Sequence, residues 1–302
     1  MTRVAAVDCG TNSIRLLVSD LDGSRKTDVE RAMRIVRLGE GVDRSGVLAP
    51  RALARTREAL EEFAATSNRL GVERTRMIAT SATRDAGNSV DFVALVEDVL
   101  SITPEIVSGG EEAALSFAGA TGGLAEPGPY VVVDIGGGST ELVLGTIGVE
   151  AAFSMDIGCV RLTERHLRDD PPSGSQIDAA IDDIGAALDQ ALKHVPADRA
   201  ATSLGLAGSV TTVAAIALGL ASYDPSRIHH SWLALDDVER ITEQLLTMTR
   251  AERAALPVMH PGRVDVIGAG ALILATLMRR IGLPELLVSE TDILDGIALS
   301  LR

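Results

Sequence analysis

Apolar and polar positions alternate with period two in two stretches of the chain, and the two stretches match. Val7-Asp8-Cys9-Gly10-Thr11-Asn12-Ser13-Ile14-Arg15-Leu16-Leu17-Val18 is the first. Val133-Asp134-Ile135-Gly136-Gly137-Gly138-Ser139-Thr140-Glu141-Leu142-Val143-Leu144 is the second. Asp8 and Asp134, Gly10 and Gly136, Ser13 and Ser139, and Leu16 and Leu142 all lie 126 positions apart. In both, an apolar run ends in Asp, passes through a turn of small residues, and resumes as an alternating strand. Each stretch predicts a β-hairpin whose tip offers main-chain N–H groups, small hydroxyls and one carboxylate. Where the first hairpin has Arg15, the second has Glu141.

Elsewhere the apolar spacing is helical. Pro50 opens a helix to about Leu70, with Leu53, Leu60, Phe63, Ala64 and Leu70 on one face. Before it, the stretch after the first hairpin is polar and broken by Gly39, Gly41 and Gly46. The pattern then gives a strand at Thr75–Thr80, a helix from Ser89 or Asp91 to about Leu100, a strand at Glu105–Val107 and a helix at Glu111–Gly119. The Gly122-Gly123 pair and Ala125-Glu126-Pro127-Gly128-Pro129 mark the clearest boundary. Beyond the second hairpin we expect a strand at Ala151–Ile157, a helix from Val160, and an acidic amphipathic helix to about Lys193. A buried strand at Ser203–Leu206 and a helix from near Val210 follow. Helices from Asp236 and from about Arg263 to Arg280, a strand at Leu286–Ser289 and a C-terminal helix complete the pattern. Hairpins followed by alternating helices and strands, twice over, indicate an α/β fold with a duplicated domain. The expected division is 1–124, joined by the C-terminal helix at about 291–302, and 125–290.

Such tips suit phosphate oxygens, because glycine lets the main chain approach closely. Arg15 reads as facing phosphate and Glu141 as facing a metal or a water; both also fit solvent-facing strand positions. Charge changes the picture further. The net charge of −14 argues against a general nucleic-acid binder. Residues 1–90 nevertheless carry 15 basic against 12 acidic side chains, while 91–302 carry 13 against 30. A locally basic part in an acidic chain suits a small polyanion. Aromatics at 2% leave little for stacking single-stranded nucleic acid. The 46% hydrophobic and 23% charged residues describe a soluble globular protein. The uncharged stretch between Arg199 and Asp224 is interrupted by Gly and Ser and reads as buried strand and helix, so no membrane association is expected. Two distant cysteines, Cys9 and Cys159, and no secretion signal fit a reducing cytoplasm. The five histidines lack zinc spacing.

The repeated hairpins resemble the two phosphate loops of the actin/hexokinase/heat-shock ATPase superfamily. Within it the chain resembles the exopolyphosphatase / guanosine pentaphosphate phosphohydrolase family. Four stretches carry the match: Asp8 to Leu16, Ala79-Thr80-Ser81-Ala82-Thr83-Arg84-Asp85-Ala86-Gly87-Asn88, Ser108-Gly109-Gly110-Glu111-Glu112-Ala113, and Asp134 to Glu141. Weaker matches follow at Gly208-Ser209-Val210-Thr211-Thr212, Arg263-Val264-Asp265-Val266-Ile267 and Asp295-Gly296-Ile297. The last motif departs from the family in having Asp295 where an Arg is usual. The chain also lacks the extra helical domains of longer members, which favours short-chain substrates.

The resemblance implies two ribonuclease-H-like domains with the active site in the interdomain cleft. It implies a phosphohydrolase releasing terminal orthophosphate from inorganic polyphosphate, with guanosine penta- or tetraphosphate as the alternative substrate or ligand. A sugar kinase or actin-like ATPase is a third reading, against which the Ser108–Ala113 motif speaks. Glu112 is the candidate for the water, with Glu111 supporting the first helical turn; read alone, both are also ordinary first-turn acids. Arg84 and Arg15 are the cationic clamps. Asp8, Asp134 and Glu141 are the carboxylates for Mg²⁺ or Mn²⁺. Asn12, Ser13, Gly136, Gly137, Gly138, Ser139 and Thr140 supply N–H and hydroxyl donors. Gly208 and Ser209 begin a helix that suits a further phosphate, or a plain strand-to-helix turn. A homodimer is expected.

Overall fold

Each hairpin opens a mixed β-sheet in the computed structural model, which describes residues 1–23 and 25–302. The chain divides into two units: Met1–Gly119 with Asp292–Arg302 (unit 1), and Ala120–Thr291 (unit 2). In unit 1, β1 (Thr2–Cys9) pairs antiparallel with β2 (Ser13–Asp22), and β2 with β3 (Arg25–Ile35). After α1 (Val42–Ser45) and α2 (Pro50–Leu70), β4 (Arg74–Ala79) adds parallel to β1. α3 (Ser81–Asp85) and α4 (Ser89–Leu100) lead to the short β5 (Glu105–Ile106), parallel to β4, and α5 (Gly109–Thr121) follows. The sheet order is β3-β2-β1-β4-β5.

Unit 2 repeats this plan. β6 (Tyr130–Ile135), β7 (Thr140–Gly145) and β8 (Val149–Met155) form an antiparallel meander. α6 (Cys159–Arg165) and α7 (Gly174–His194) lead to β9 (Thr202–Leu206), parallel to β6, and then to α8 (Ala207–Ala217). α9 (Pro225–Ile228), β10 (Trp232–Ala234), α10 (Leu235–Thr247), α11 (Arg250–Ala254) and α12 (Ile267–Ile281) precede β11 (Glu285–Val288). The order β10-β11-β9-β6-β7-β8 is, read from β8, the order of unit 1 with β10 added at the far edge. The last helix, α13 (Ile293–Leu299), belongs to unit 1.

Strand alternation decides what each sheet face meets. In unit 1, Ala5, Val7, Cys9, Ile14, Leu16 and Val18 share a core with Leu60 and Phe63 of α2 and Phe92 of α4. Ala6 and Leu17 face the other way, onto Ile293, Leu294 and Ile297 of α13. Asp8 and Arg15 have the parity of Ala6 and Leu17, so they lie on the α13 side. In unit 2, Val131, Val133, Ile135, Leu142 and Leu144 share a core with buried residues of α7, α8, α10 and α12. Two glycines bring α5 and α13 into backbone contact: a Cβ on Gly119 would run into the Asp292 carbonyl, and one on Gly296 into the Leu115 carbonyl.

Three departures from the sequence pattern bear on the site. The polar stretch after the first hairpin contains β3, and β10 was likewise not anticipated. α8 begins at Ala207 rather than near Val210, with Ala207 in the left-handed region at φ 67°. α12 begins at Ile267, which leaves Arg263 in the preceding turn. Among the described residues no helix is long and apolar enough to cross a membrane.

Candidate active site

In unit 1 the first tip is closed by a hydrogen bond from Gly10 N to Ser13 O (2.9 Å). The segment after β3 buttresses it: Gly39 N donates to Thr11 O (2.8 Å), and Val36 and Arg37 N both donate to Asn12 O (3.1 and 2.9 Å). The Thr11 and Ser81 hydroxyls meet at 2.8 Å, tying the tip to the first turn of α3. Asn12 and Ser13 remain partly exposed on the tip.

Asp8 and Arg15 stand directly opposite each other in the β1–β2 register. Arg15 Nε and Nη2 both donate to Asp8 Oδ2, at 3.0 and 2.6 Å, and Nη1 donates to Asp292 Oδ2. Asp8 Oδ1 is buried and makes no hydrogen bond, as is also true of Thr83 Oγ1. Burial pushes the Asp8 carboxyl up against the downward pull of Arg15. Burial alone would lower the Arg15 guanidinium, but Asp292 and Asp8 together raise it. Arg15, expected to face phosphate, has its guanidinium engaged by two carboxylates, because alternation points it at α13.

Arg84 and Glu112 come together. Arg84 Nη1 donates to Glu112 Oε2 (3.2 Å) and to the Val107 carbonyl (3.1 Å). The adjacent glutamates part company at the start of α5. Glu111 is exposed and accepts from Ser108 N and Oγ, both at 2.9 Å, the geometry of a helix cap. Glu112 is 8% exposed.

In unit 2 the same bond closes the second tip, from Gly136 N to Ser139 O (3.0 Å). The Gly136 and Gly137 carbonyls accept from Cys159, Val160 and Arg161 N at 3.0, 2.9 and 3.2 Å, so the loop sits on the first turn of α6. Gly158 is required there, since a Cβ would overlap the Gly137 backbone. Asp134 lies opposite Glu141 in register, repeating the Asp8–Arg15 positions with the cation exchanged for an anion. Both are buried, and Glu141 Oε1 accepts from Ser154 Oγ (2.7 Å).

Three residues expected to serve as donors lie against partners within unit 2. Thr140 Oγ1 donates to the Ile157 carbonyl (2.6 Å) and holds β7 to the loop before α6 rather than offering its hydroxyl to a ligand. Ser209 packs against Gly270 and hydrogen-bonds Cys159 inside the unit. The Arg263 guanidinium lies over Gly208, and its Nη1 donates to Thr212 Oγ1 (3.1 Å). The cation at the start of α8 is thus Arg263, whose motif was noted without a role. Beside it, Tyr223 Oη meets Thr211 Oγ1 at 2.7 Å and donates to Glu290 Oε1 at 2.6 Å, and burial and then Glu290 raise its phenol. Tyr223, Glu290, Ser154 and Asp292 carried no motif. Cys9 and Cys159 are free and buried, and burial pushes both thiols up, as expected of small core residues.

Among the described residues no three His, Cys, Asp or Glu side chains form a metal cluster. Mg²⁺ does not need one: it is held by one or two carboxylates plus substrate oxygens and water. The unpaired buried Oδ1 of Asp8 and the hard-oxygen pair Asp134 and Glu141 fit that donor set.

Two sheets of one strand order, each with an acid-bearing first strand that ends in a glycine-closed tip, define a duplicated ribonuclease-H-like fold. The chain belongs to the Ppx/GppA phosphatase family, whose model matches residues 17–302. It is 50% identical to exopolyphosphatase 2 of Mycobacterium tuberculosis, over 100% of this chain and 99% of that one. It is 27% identical to a guanosine-5'-triphosphate,3'-diphosphate pyrophosphatase of Photobacterium profundum, over 97% of this chain but 58% of the longer protein. Among solved structures, the Ppx/GppA family member of Aquifex aeolicus superposes with a TM-score of 0.84 at 27% identity, covering 99% of this chain and 97% of that one. An exopolyphosphatase-like protein superposes with a TM-score of 0.96 at 41% identity, covering 99% and 98%.

Proposed function

We propose that this chain is a phosphohydrolase that releases terminal orthophosphate from inorganic polyphosphate. The observation that carries the reading is Glu112. It is a buried carboxylate in the first turn of α5, held by Arg84, in the unit whose Asp8 keeps one oxygen unpaired. The likeness to a relative named exopolyphosphatase across the whole chain supports polyphosphate over a guanosine polyphosphate.

Glu112 takes a proton from the attacking water as its oxygen bonds the terminal phosphorus. The bridging P–O bond breaks with its electron pair going to the leaving chain, which ends one phosphate shorter. Arg84 orients Glu112 and balances charge on the phosphoryl oxygens. The two tips contribute N–H groups, with Asn12 and Ser13 on one and Gly136, Gly137, Gly138 and Ser139 on the other. Asp8, Asp134 and Glu141 are the residues that would hold Mg²⁺ or Mn²⁺, whose chemistry there is to neutralise phosphate charge. Unit 1 brings the base and its arginine, unit 2 the glycine loop and two carboxylates. A cytoplasmic setting and a homodimer belong to the same reading; light scattering of the purified protein tests the latter.

The test is phosphate release from polyphosphates of graded length, guanosine pentaphosphate and ATP, with and without Mg²⁺. Preferred release from polyphosphate supports the reading. Preference for guanosine pentaphosphate moves the chain to the alternative substrate, and transfer from ATP to a sugar overturns hydrolysis.

A further inference from the structure

α13 carries two carboxylates that no motif assigned a role, and they form a continuous chain of contacts to Asp8. Lys26 Nζ and Arg31 Nη2, both on β3, donate to Asp295 Oδ1 at 2.9 and 2.8 Å. Asp295 Oδ2 accepts from Asp292 N (3.1 Å), and Asp292 Oδ1 accepts from Leu294 N (3.0 Å), which caps the helix. The other oxygen of Asp292 takes Arg15 Nη1, and the remaining donors of Arg15 go to Asp8 Oδ2. The Asp292 and Asp295 side chains are 6% and 1% exposed. A guanidinium opposite a lone carboxylate takes both oxygens in a fork. Here Arg15 takes one, and Asp8 Oδ1 has no hydrogen bond.

We propose that Asp292 is a positioning residue, anchored by Asp295, Lys26 and Arg31, that holds Arg15 off Asp8 Oδ1 and so keeps that oxygen open to the divalent ion. The proposal rests on the reading of Asp8 as a metal-side carboxylate. It also gives the family departure at Asp295 a role: the acid locks the N-terminus of α13 to β3.

Asn and Ser cap helices about as well as Asp. With Asp292→Asn the capping oxygen stays on Leu294 N, the amide NH₂ faces Arg15, and Nη1 turns to Asp8 Oδ1. The ion must then displace a charge-assisted hydrogen bond, which weakens its binding about tenfold or more. The measurement is Mn²⁺ binding by electron paramagnetic resonance, with imidodiphosphate present and no turnover, on the full chain. Wild type, Asp8→Asn, Asp292→Asn, Asp292→Ser and Arg15→Met are compared, together with Asp292→Asn in the Arg15→Met background. We expect both Asp292 variants to stay folded, with lowered thermal midpoints, to bind Mn²⁺ more weakly, and to show no further loss once Arg15 is Met. Wild-type Mn²⁺ affinity in Asp292→Asn and Asp292→Ser, with Asp8→Asn impaired, overturns this inference alone. Wild-type affinity in Asp8→Asn overturns the metal-side reading of Asp8 and the inference with it.

Discussion

Replacing Glu112 by Gln isolates proton transfer from shape. Glu112 Oε2 is held by Arg84 Nη1, itself fixed on the Val107 carbonyl, and the side chain is 11% exposed. In the variant the amide oxygen goes to Arg84, the only placement that avoids two donors facing each other. The NH₂ then points where Oε1 stood and offers the attacking water a donor instead of an acceptor. Loss of a positioned general base slows a reaction by about 10²–10⁴, a barrier increase of roughly 3–5 kcal/mol at 1.36 kcal/mol per tenfold. The fold should survive: converting one partner of this partly exposed pair to a neutral group costs about 1 kcal/mol. Single-turnover phosphate release reads the chemical step, and calorimetric titration with a short polyphosphate reads binding. We expect the first to collapse and the second to change little. Glu111→Gln is the matched control, because its carboxylate caps α5 through Ser108 and a glutamine oxygen can do the same. Wild-type turnover in Glu112→Gln, or a dead Glu111→Gln, would refute the assignment.

Other outcomes follow from the same structure. Activity is expected to need Mg²⁺ or Mn²⁺, with Asp134→Ala or Glu141→Ala raising the concentration required; full activity after exhaustive chelation refutes this. Gly119→Ala should lower the thermal midpoint by an amount equivalent to about 2 kcal/mol or more, since the new methyl meets the Asp292 carbonyl rather than a mobile side chain. Although burial would raise the Asp28 carboxyl, Lys26 and Arg31 hold it below its usual value of 3.8. Its stabilisation is therefore complete above that value and lost as pH falls through the lower folded one, so Asp28→Asn should flatten the acid limb of stability against pH. With a net charge of −14 and its cations screened beyond about 8–10 Å, the protein should show kcat/KM peaking at a few phosphates; a steady rise to chains of hundreds counts against it.

The parts of the fold that were legible in the sequence are those written in alternation. The hairpin pairs Asp8 with Arg15 and Asp134 with Glu141 at matched register, as the 126-residue offset implies. β3 was not legible because it is an edge strand held mainly by pairing with β2: Arg25, Thr27 and Arg34 are exposed and Lys26 and Arg31 reach the Asp295 carboxylate, so it shows little apolar period. Asp292 escaped notice because its partner Arg15 lies 277 positions away. The visible signal was the capping box it forms with Asp295, which reads as helix punctuation and nothing more. Arg263 was absorbed into an expected helix, and only the later start of α12 sets it over Gly208. Composition cannot show where a hydroxyl points, and so it could not tell Thr140, turned to Ile157, from a free donor.

The membership of α13 in unit 1 has a consequence for synthesis. Unit 2 is inserted between Gly119 and Asp292, so its residues leave the ribosome as one uninterrupted block. Unit 1 must wait. Until Ile293, Leu294 and Ile297 emerge, the Ala6–Leu17 face of its sheet has only Val107 and Leu115 over it, and Arg15 has only Asp8 to pair with. Domains made first usually fold first; here the N-terminal unit finishes last, carrying an apolar sheet face through the whole translation of its neighbour. That nascent face is where a chaperone would bind.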